Sequence, residues 1–170
     1  MKTHATALLL FALGGSVSVD ATEFRNSYLR FDLPAGWTCE TQDTEFVCDP
    51  PHVQGQPVSA IMVLTAKIPG PQDGLVEYNR LLESRAAELG RDAMIRAPAN
   101  ARIGEAIWVD ATLKGSEIAT YRTRYLATVK SGIAILFTFS AHESAYSDLE
   151  GTAVLAVSTL TILDDWKKSR

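Results

Sequence analysis

The chain has 170 residues, and its 16 Lys and Arg against 20 Asp and Glu give a formal net charge of −4. This length suits one domain with a sizeable core. Charges of both signs are scattered along the chain, so the clustered Lys and Arg that neutralise nucleic-acid phosphates are missing. The composition therefore argues against nucleic acid as the main partner.

The N-terminal residues have the pattern of a secretory signal. Lys2 lies in a weakly basic start, an apolar run follows over residues 5–13, and small residues lead to a cleavage site after Ala21. The apolar run is shorter than the roughly 20 residues that a membrane span needs, and no cysteine follows it that could carry a lipid. We therefore expect a signal peptide over residues 1–21, a single domain over residues 22–170, and a periplasmic or secreted protein.

Two cysteines, Cys39 and Cys48, lie in one predicted β-hairpin. Residues 37–41 and 46–49 are typical of two short strands around a polar turn, and a hairpin centred between positions 43 and 44 sets the cysteines opposite each other. They then form a non-hydrogen-bonded pair, where Cα atoms approach to about 4.5 Å, a separation that permits a disulfide. An oxidising compartment favours this bond, and the spacing is not the C-x-x-C of redox pairs. We predict a structural disulfide.

The rest of the chain alternates between predicted strands and two predicted helices. Period-two apolar alternation indicates the strands, and an apolar stripe at helical spacing indicates the first helix. The predicted strands cover residues 58–68, 92–97, 103–113, 117–130 and 133–140, the helices residues 75–89 and 144–157, and an extended tail residues 158–163. The last three strands are expected to form an antiparallel meander, and Pro98 is expected to end the strand before it.

The start of the predicted domain carries a resemblance to a known family. It reads Tyr28-Leu29-Arg30-Phe31-Asp32-Leu33-Pro34-Ala35-Gly36-Trp37, a strand followed by a Leu-Pro-x-Gly-Trp corner. Together with the hairpin, the long strand, the helix, the meander, the second helix and the tail, it resembles the PsbP-like family of small periplasmic and lipoprotein domains. DcrB-type periplasmic proteins are similar. The resemblance implies an α/β (α+β) fold in which an antiparallel sheet of about six strands carries flanking helices in a sandwich.

The resemblance also implies a role in binding. Members of the family include non-enzymatic binding and assembly subunits, and some are periplasmic immunity proteins. We therefore expect an exported, non-enzymatic interaction module whose partner is another protein or a small ligand. The alternatives are a periplasmic immunity protein that blocks a secreted toxin, and a hydrolase whose site is assembled from scattered carboxylates.

No catalytic, cofactor-binding or metal-binding motif is found in the sequence. His52 and His142 lack the spaced partners that zinc ligation needs, and His142 is interpreted as the start of a helix. Nucleophile-elbow, phosphate-loop and calcium-loop motifs are absent. A weak Ca²⁺ site on the hairpin is the less favoured alternative to a solvated acidic surface; its ligands would be Glu40, Asp43, Glu45 and Asp49.

One surface is a candidate for contact with a partner. Alternation over residues 117–130 places Tyr125 on a face interpreted as core, and Arg122 and Arg124 on the opposite face. Trp108 is assigned to the same side as the arginines. Either a helix or the tail covers this side, which is the favoured interpretation, or the side is part-open. In the second case Trp108 would anchor an acidic partner and the two arginines would pair with its carboxylates.

Overall fold

The computed structural model describes residues 22–43, 45–51 and 60–163. The predicted signal peptide, residues 1–21, lies outside the described residues, and so does His52. The described residues form ten strands and two helices: β1 (Thr22–Arg25), β2 (Leu29–Leu33), β3 (Thr38–Gln42), β4 (Glu45–Asp49), β5 (Ala60–Lys67), α1 (Leu75–Leu89), β6 (Met94–Ile103), β7 (Ala106–Lys114), β8 (Tyr121–Lys130), β9 (Ile133–His142), α2 (Glu143–Ser158) and β10 (Thr161–Ile162).

Seven strands form one antiparallel sheet in the order β3-β4-β5-β9-β8-β7-β6, and β2 lies between β1 and β10 in a second, three-stranded sheet. The expected α+β class, an antiparallel sheet with flanking helices, is confirmed. The small sheet was not expected. It exists because the predicted extended tail pairs with β2 through Thr161 and Ile162 rather than with the large sheet.

The β3–β4 hairpin has the predicted register. Cys39 is paired with Cys48 across the two strands, and Gln42 with Glu45 next to the turn. The two cysteines form a disulfide with their Cα atoms 4.0 Å apart. Cys48 is buried against the core, with 1% of its surface exposed, so the bond fastens the edge of the large sheet to its interior.

Strand β6 corrects the prediction of a short strand over residues 92–97 that Pro98 ends. The strand runs through Pro98 to Ile103, and its pairing with β7 shifts register twice, between Met94 and Arg96 and between Arg96 and Ala99. Because β6 is the edge strand of the sheet, a residue without an N–H can be accommodated there, with bulges beside it.

The hairpin between β6 and β7 was not predicted, because residues 103–113 alternate as one continuous strand. The chain reverses at Gly104, which has a φ of +56°. A Cβ at this position would lie 2.5 Å from the backbone oxygen of Ser158 at the end of α2. Both the left-handed conformation and the close approach of α2 therefore require glycine.

Helix α2 and the small sheet cover one face of the large sheet, which we call the covered face. The main core cluster lies there, built by apolar side chains of β5, β8 and β9 that alternate inward, together with α2 and β2. Its large members are Leu29, Phe31, Leu33, Trp37, Met62, Leu64, Trp108, Leu126, Ile133, Ile135, Phe137, Phe139, Tyr146 and Val157. The long strands thus bury one residue in two against α2 and the small sheet, which is the arrangement that period-two alternation predicts.

Helix α1 lies on the opposite face, which we call the α1 face. The helix has the predicted bounds, Leu75–Leu89, and its buried residues are Leu82 and Ala86. They contact Val109 and Leu113 of β7 in a second, smaller core cluster. In the described part of the chain, neither α1 nor α2 has the length and hydropathy of a membrane span.

Leu82 and Glu83 provide a test of the buried stripe of α1. Leu82 is 6% exposed, whereas Glu83 is exposed to solvent. We expect Leu82→Asp to destabilise the domain by several kcal/mol, because it buries an unpaired charge, and Glu83→Ala to change stability by no more than about 0.5 kcal/mol. Thermal melting of the two variants measures this difference. Equal melting temperatures would contradict the packing of α1.

Candidate functional site

The structure places Trp108, Arg122 and Arg124 on the covered face. Trp108 is 1% exposed, and its indole N–H donates a hydrogen bond to the backbone oxygen of Ile103 at 3.2 Å. Arg124 is buried, with 9% exposed, and Arg122 is half-buried. The favoured interpretation, in which this side is covered, matches the geometry. The alternative of a part-open surface with Trp108 as an exposed anchor is corrected, because α2 and the small sheet cover it.

Arg124 is buried because two carboxylates surround its guanidinium group. Its Nε and Nη2 donate to the two carboxylate oxygens of Asp110 at 2.9 and 2.6 Å, and its Nη1 donates to Glu150 of α2 at 2.8 Å. Such bidentate pairing is the strongest form of ion pair that arginine makes. Burial by itself would lower the pKa of Arg124, but Asp110 outweighs it and the pKa is raised. We call these three residues the ion cluster.

Arg96 and Arg122 lie beside the ion cluster. Arg96 of β6 reaches the same two carboxylates, at 3.1 Å from Asp110 and 3.3 Å from Glu150. Arg122 lies 3.6 Å from Glu143, and its guanidinium carbon is 5.9 Å from the ring centre of Tyr146. These contacts join α2 to the sheet, so the arginines that the sequence offered for a partner are used inside the fold.

The ion cluster was missed at the level of sequence because its members come from two strands and a helix. One signal was present: Asp110 is a carboxylate in the middle of the apolar strand β7, and a buried charge needs a partner. Its partner Arg124 is also one of the two arginines that, in the part-open alternative, were expected to pair with the carboxylates of an acidic partner. The carboxylates that Arg124 contacts belong to the protein itself.

The ion cluster predicts a large difference between two arginine substitutions. Arg124→Ala leaves Asp110 and Glu150 without their central cation and is expected to destabilise the fold by about 3–5 kcal/mol. Arg96→Ala removes a cation whose side chain is 44% exposed and is expected to cost no more than about 1 kcal/mol. Urea unfolding of both variants measures the two effects. An Arg124→Ala variant as stable as the parent would show that the cluster does not hold α2.

The α1 face is covered only in part. Helix α1 packs over β6, β7 and the adjacent part of β8. It leaves Ile61, Val63 and Thr65 of β5 half-buried, and on β9 it leaves Leu136 exposed and Thr138 half-buried. Two adjoining hollows result. One, of about 240 Å³, lies between α1 and the sheet and is lined by Tyr78, Leu81, Leu82, Arg85, Glu117, Tyr125, Ala127 and Leu136. The other, of about 310 Å³, lies over β5 and β9 and is lined by Glu45, Ile61, Val63, Thr65, Glu117, Ile118, Tyr125, Leu136, Thr138 and Ser140.

These two hollows share Glu117, Tyr125 and Leu136, and together we call them the α1 groove. Its walls expose large apolar side chains: Leu81 is 64% exposed, Ile118 51% and Leu136 39%. Scattered apolar residues are ordinary on a protein surface, whereas a concave group of them is typical of an interaction site. The α1 groove is therefore the candidate functional site.

A polar contact fixes the centre of the α1 groove. The Tyr125 hydroxyl donates to a carboxylate oxygen of Glu117 at 2.5 Å and lies 2.8 Å from the hydroxyl oxygen of Ser116. Burial, and next the contact with Glu117, raise the pKa of Tyr125, so the phenol, which is protonated at neutral pH in any case, also keeps donating to Glu117 in alkaline solution. Arg85 of α1 donates to the backbone oxygen of Ser116 at 3.1 Å. The loop that carries Glu117 is thereby attached to both α1 and β8.

Two features that were considered for chemistry from the sequence lie among the described residues: His142 and the acidic residues of the β3–β4 hairpin. His142 is the N-cap of α2, and its side chain accepts a hydrogen bond from the backbone N–H of Ser144, so its interpretation as a helix start is confirmed. Within residues 22–43, 45–51 and 60–163, no three His, Cys, Asp or Glu side chains lie close enough together to hold a metal ion. The hairpin carboxylates therefore gain no support as a Ca²⁺ site.

No protein-family model and no curated protein sequence matches the chain. Solved structures do match its fold. The solution structure of the PsbP protein of Synechocystis sp. PCC 6803 has a TM-score of 0.61 and 11% identity, over 91% of this chain and 99% of that one. The Ran-binding protein Mog1p of Saccharomyces cerevisiae has a TM-score of 0.55 and 10% identity, over 86% and 97%. LpqN of Mycobacterium tuberculosis, involved in cell envelope biogenesis, has a TM-score of 0.56 and 10% identity, over 86% and 87%.

A longer protein from Bacteroides thetaiotaomicron also contains the fold. Its TM-score is 0.56 at 16% identity, and the match covers 85% of this chain but 49% of that one, so this chain spans about half its length. At such identities the likeness concerns the fold and not the function. The closer similarity to DcrB-type proteins stays a prediction.

Proposed function

Because the chain has the PsbP-like fold, we propose that it is an exported, non-enzymatic interaction module, and that the α1 groove holds its partner. The observation that carries the proposal is the unequal covering of the large sheet. One face is closed by α2 and the small sheet, while the other exposes Leu81, Ile118 and Leu136 around a hollow. Apolar surface that the chain leaves open is stabilised when a partner removes it from water.

The structures of similar fold support a binding role by analogy. Mog1p, which shares the fold over most of both chains, is a Ran-binding protein. A fold that hosts a protein-binding function in one case is suited to it in another, although the surface used is decided by each sequence. Here the surface is the α1 groove, and we expect another protein to occupy it.

Export is supported by the predicted signal peptide and by the disulfide. The bond between Cys39 and Cys48 is of the kind that persists in oxidising compartments. LpqN, another structure of this fold, is involved in cell envelope biogenesis. Both observations fit a protein of the periplasm or the cell exterior.

The remaining alternatives differ in the support they receive. An immunity protein would be a narrower form of the same proposal, with one secreted toxin as the occupant of the α1 groove. A hydrolase would need two carboxylates free to act on a substrate. The pair that the fold brings together, Asp110 and Glu150, is held by Arg96 and Arg124, so no observation favours this alternative.

Site-directed photo-crosslinking in the cells that produce the protein tests the groove. A photoreactive phenylalanine analogue replaces Leu136 in the groove or, as the control, Leu155 on α2, which is 67% exposed. We expect a discrete crosslinked partner from position 136 and none of the same mass from position 155. Adding Leu81→Lys is expected to remove that product, because a charge then stands in the apolar wall. Equal products from both positions would contradict the proposal.

Export and oxidation are tested together by intact mass of the protein expressed with its own residues 1–21. We expect the mature chain to begin at Thr22 and to take up an alkylating reagent at Cys39 and Cys48 only after reduction. These results are expected because the signal peptide is cleaved after Ala21 during export and the two cysteine thiols of the hairpin are then oxidised to a disulfide. A recovered chain that retains residues 1–21, or that alkylates without reduction, would contradict export.

A further inference from the structure

Four carboxylates lie on the α1 face, and among the described residues no Lys, Arg or His forms an ion pair with them. Strand alternation and pairing place Glu40, Glu45 and Asp49 on this face of the hairpin, beside Val47 and Thr65, and Glu117 lines the groove itself. In the described part of the chain, none of the four has a Lys, Arg or His nitrogen within 4.0 Å.

Of the described residues, the cations at the groove are Arg85 in its wall and Lys67 at the end of β5, and each has a carboxylate partner of its own. Lys67 at the end of β5 is paired with Asp73 at 3.0 Å. Arg85 is paired with Glu88 at 3.3 Å and donates to the backbone of Ser116. The open surface around the groove therefore carries an excess of negative charge, which attracts cationic partners and repels anionic ones.

The apolar floor of the groove lies between two of these carboxylates. Glu45 belongs to β4, whereas Glu117 is held at β8 by Tyr125, and strands β5 and β9 separate the two. Three strand spacings of about 4.8 Å separate the backbones of β4 and β8 by about 14 Å, and the carboxylate of Glu45 is directed toward β5 by Thr65 at 3.4 Å. Ile61, Val63 and Leu136 line the space between β4 and β8.

On these grounds we infer that the occupant of the α1 groove is a peptide segment with bulky apolar residues between two basic ones. An extended peptide advances about 3.3 Å per residue, so cations about four positions apart would reach both carboxylates. A ligand with a single charge would satisfy only one of them. The inference rests on the proposed function, and it reverses the sequence-based expectation of an acidic partner.

Selection from a displayed library of random peptides, with the oxidised full mature protein as bait, tests the inference. We expect the enriched peptides to carry Lys or Arg on both sides of apolar residues. A fluorescein-labelled enriched peptide is then measured by fluorescence anisotropy. Its affinity is expected to fall up to about fivefold for each of Glu45→Gln and Glu117→Gln, which is the size of an exposed ion pair, and to fall as salt rises.

The matched control is the double variant Glu83→Gln with Asp148→Asn, which removes two exposed carboxylates away from the groove. It is expected to bind the labelled peptide as the parent does, and melting temperatures of all variants are expected to agree with the parent. Glutamine at position 117 retains an acceptor for the Tyr125 hydroxyl, so the groove itself is expected to persist.

The outcomes separate this inference from the proposed function. Enriched peptides that are acidic, or that are purely apolar and bind independently of salt, would overturn the inference. If Leu136→Lys abolished the binding of such peptides, the groove would still be the binding site, and the proposed function would stand. Binding that shows the expected charge dependence but survives Leu136→Lys would place the basic segment outside the groove and overturn the inference as well. Enrichment of no peptide at all would also overturn the inference.

Discussion

A sheet of seven antiparallel strands has two faces that carry apolar side chains, and burying those side chains stabilises the fold. Among the described residues, two helices and one small sheet cover these faces, and they are distributed unequally between them. Helix α2 and strands β1, β2 and β10 close one face, while α1 alone lies on the other. Helix α1 is 15 residues long, about 22 Å at 1.5 Å per residue, and it covers β6, β7 and part of β8. The α1 groove is the part of the sheet that this division leaves open.

The covered face contains charge as well as apolar surface. Arg124 and Asp110 are buried, Glu150 is half-buried, and Arg96 beside them supplies the second cation that balances the two carboxylates. Replacing buried ion clusters of this kind by apolar residues of similar volume is often neutral or stabilising. Their geometric demand is high, because a bidentate pair tolerates little displacement. Glu150 therefore ties α2 to one position along β7 and β8, and the strand β10 that follows α2 is placed against β2 as a result.

Local patterns in the sequence predicted local structure well. The apolar stripe from Leu75 to Leu89 gave the bounds of α1, because a helix against a sheet must bury a stripe at that spacing. The register of Cys39 and Cys48 followed from the turn. The small sheet and the β6–β7 reversal at Gly104 could not be predicted in this way, since one depends on a pairing between the two ends of the domain and the other on the close approach of α2.

The part-open alternative for the arginine side of β8 fails for a physical reason. It placed Arg122 and Arg124 on an open side, because an unpaired guanidinium is costly to bury. That cost disappears once Asp110 and Glu150 flank Arg124, and such a partnership is not visible in the alternation of one strand. Tyr125, in turn, is buried with its hydroxyl directed at Glu117, so it belongs to the wall of the groove.

The two borders of the large sheet have a consequence for association between copies of the protein. An edge strand offers unpaired N–H and C=O groups to which another strand can add, and long flat edges lead to aggregation. Here β6 is interrupted by Pro98 and by two register shifts, and β3 is five residues long, carries Glu40 and is covalently fastened to β4. Both borders resist the addition of a foreign strand, so pairing between copies edge to edge is disfavoured while one face of the sheet stays open.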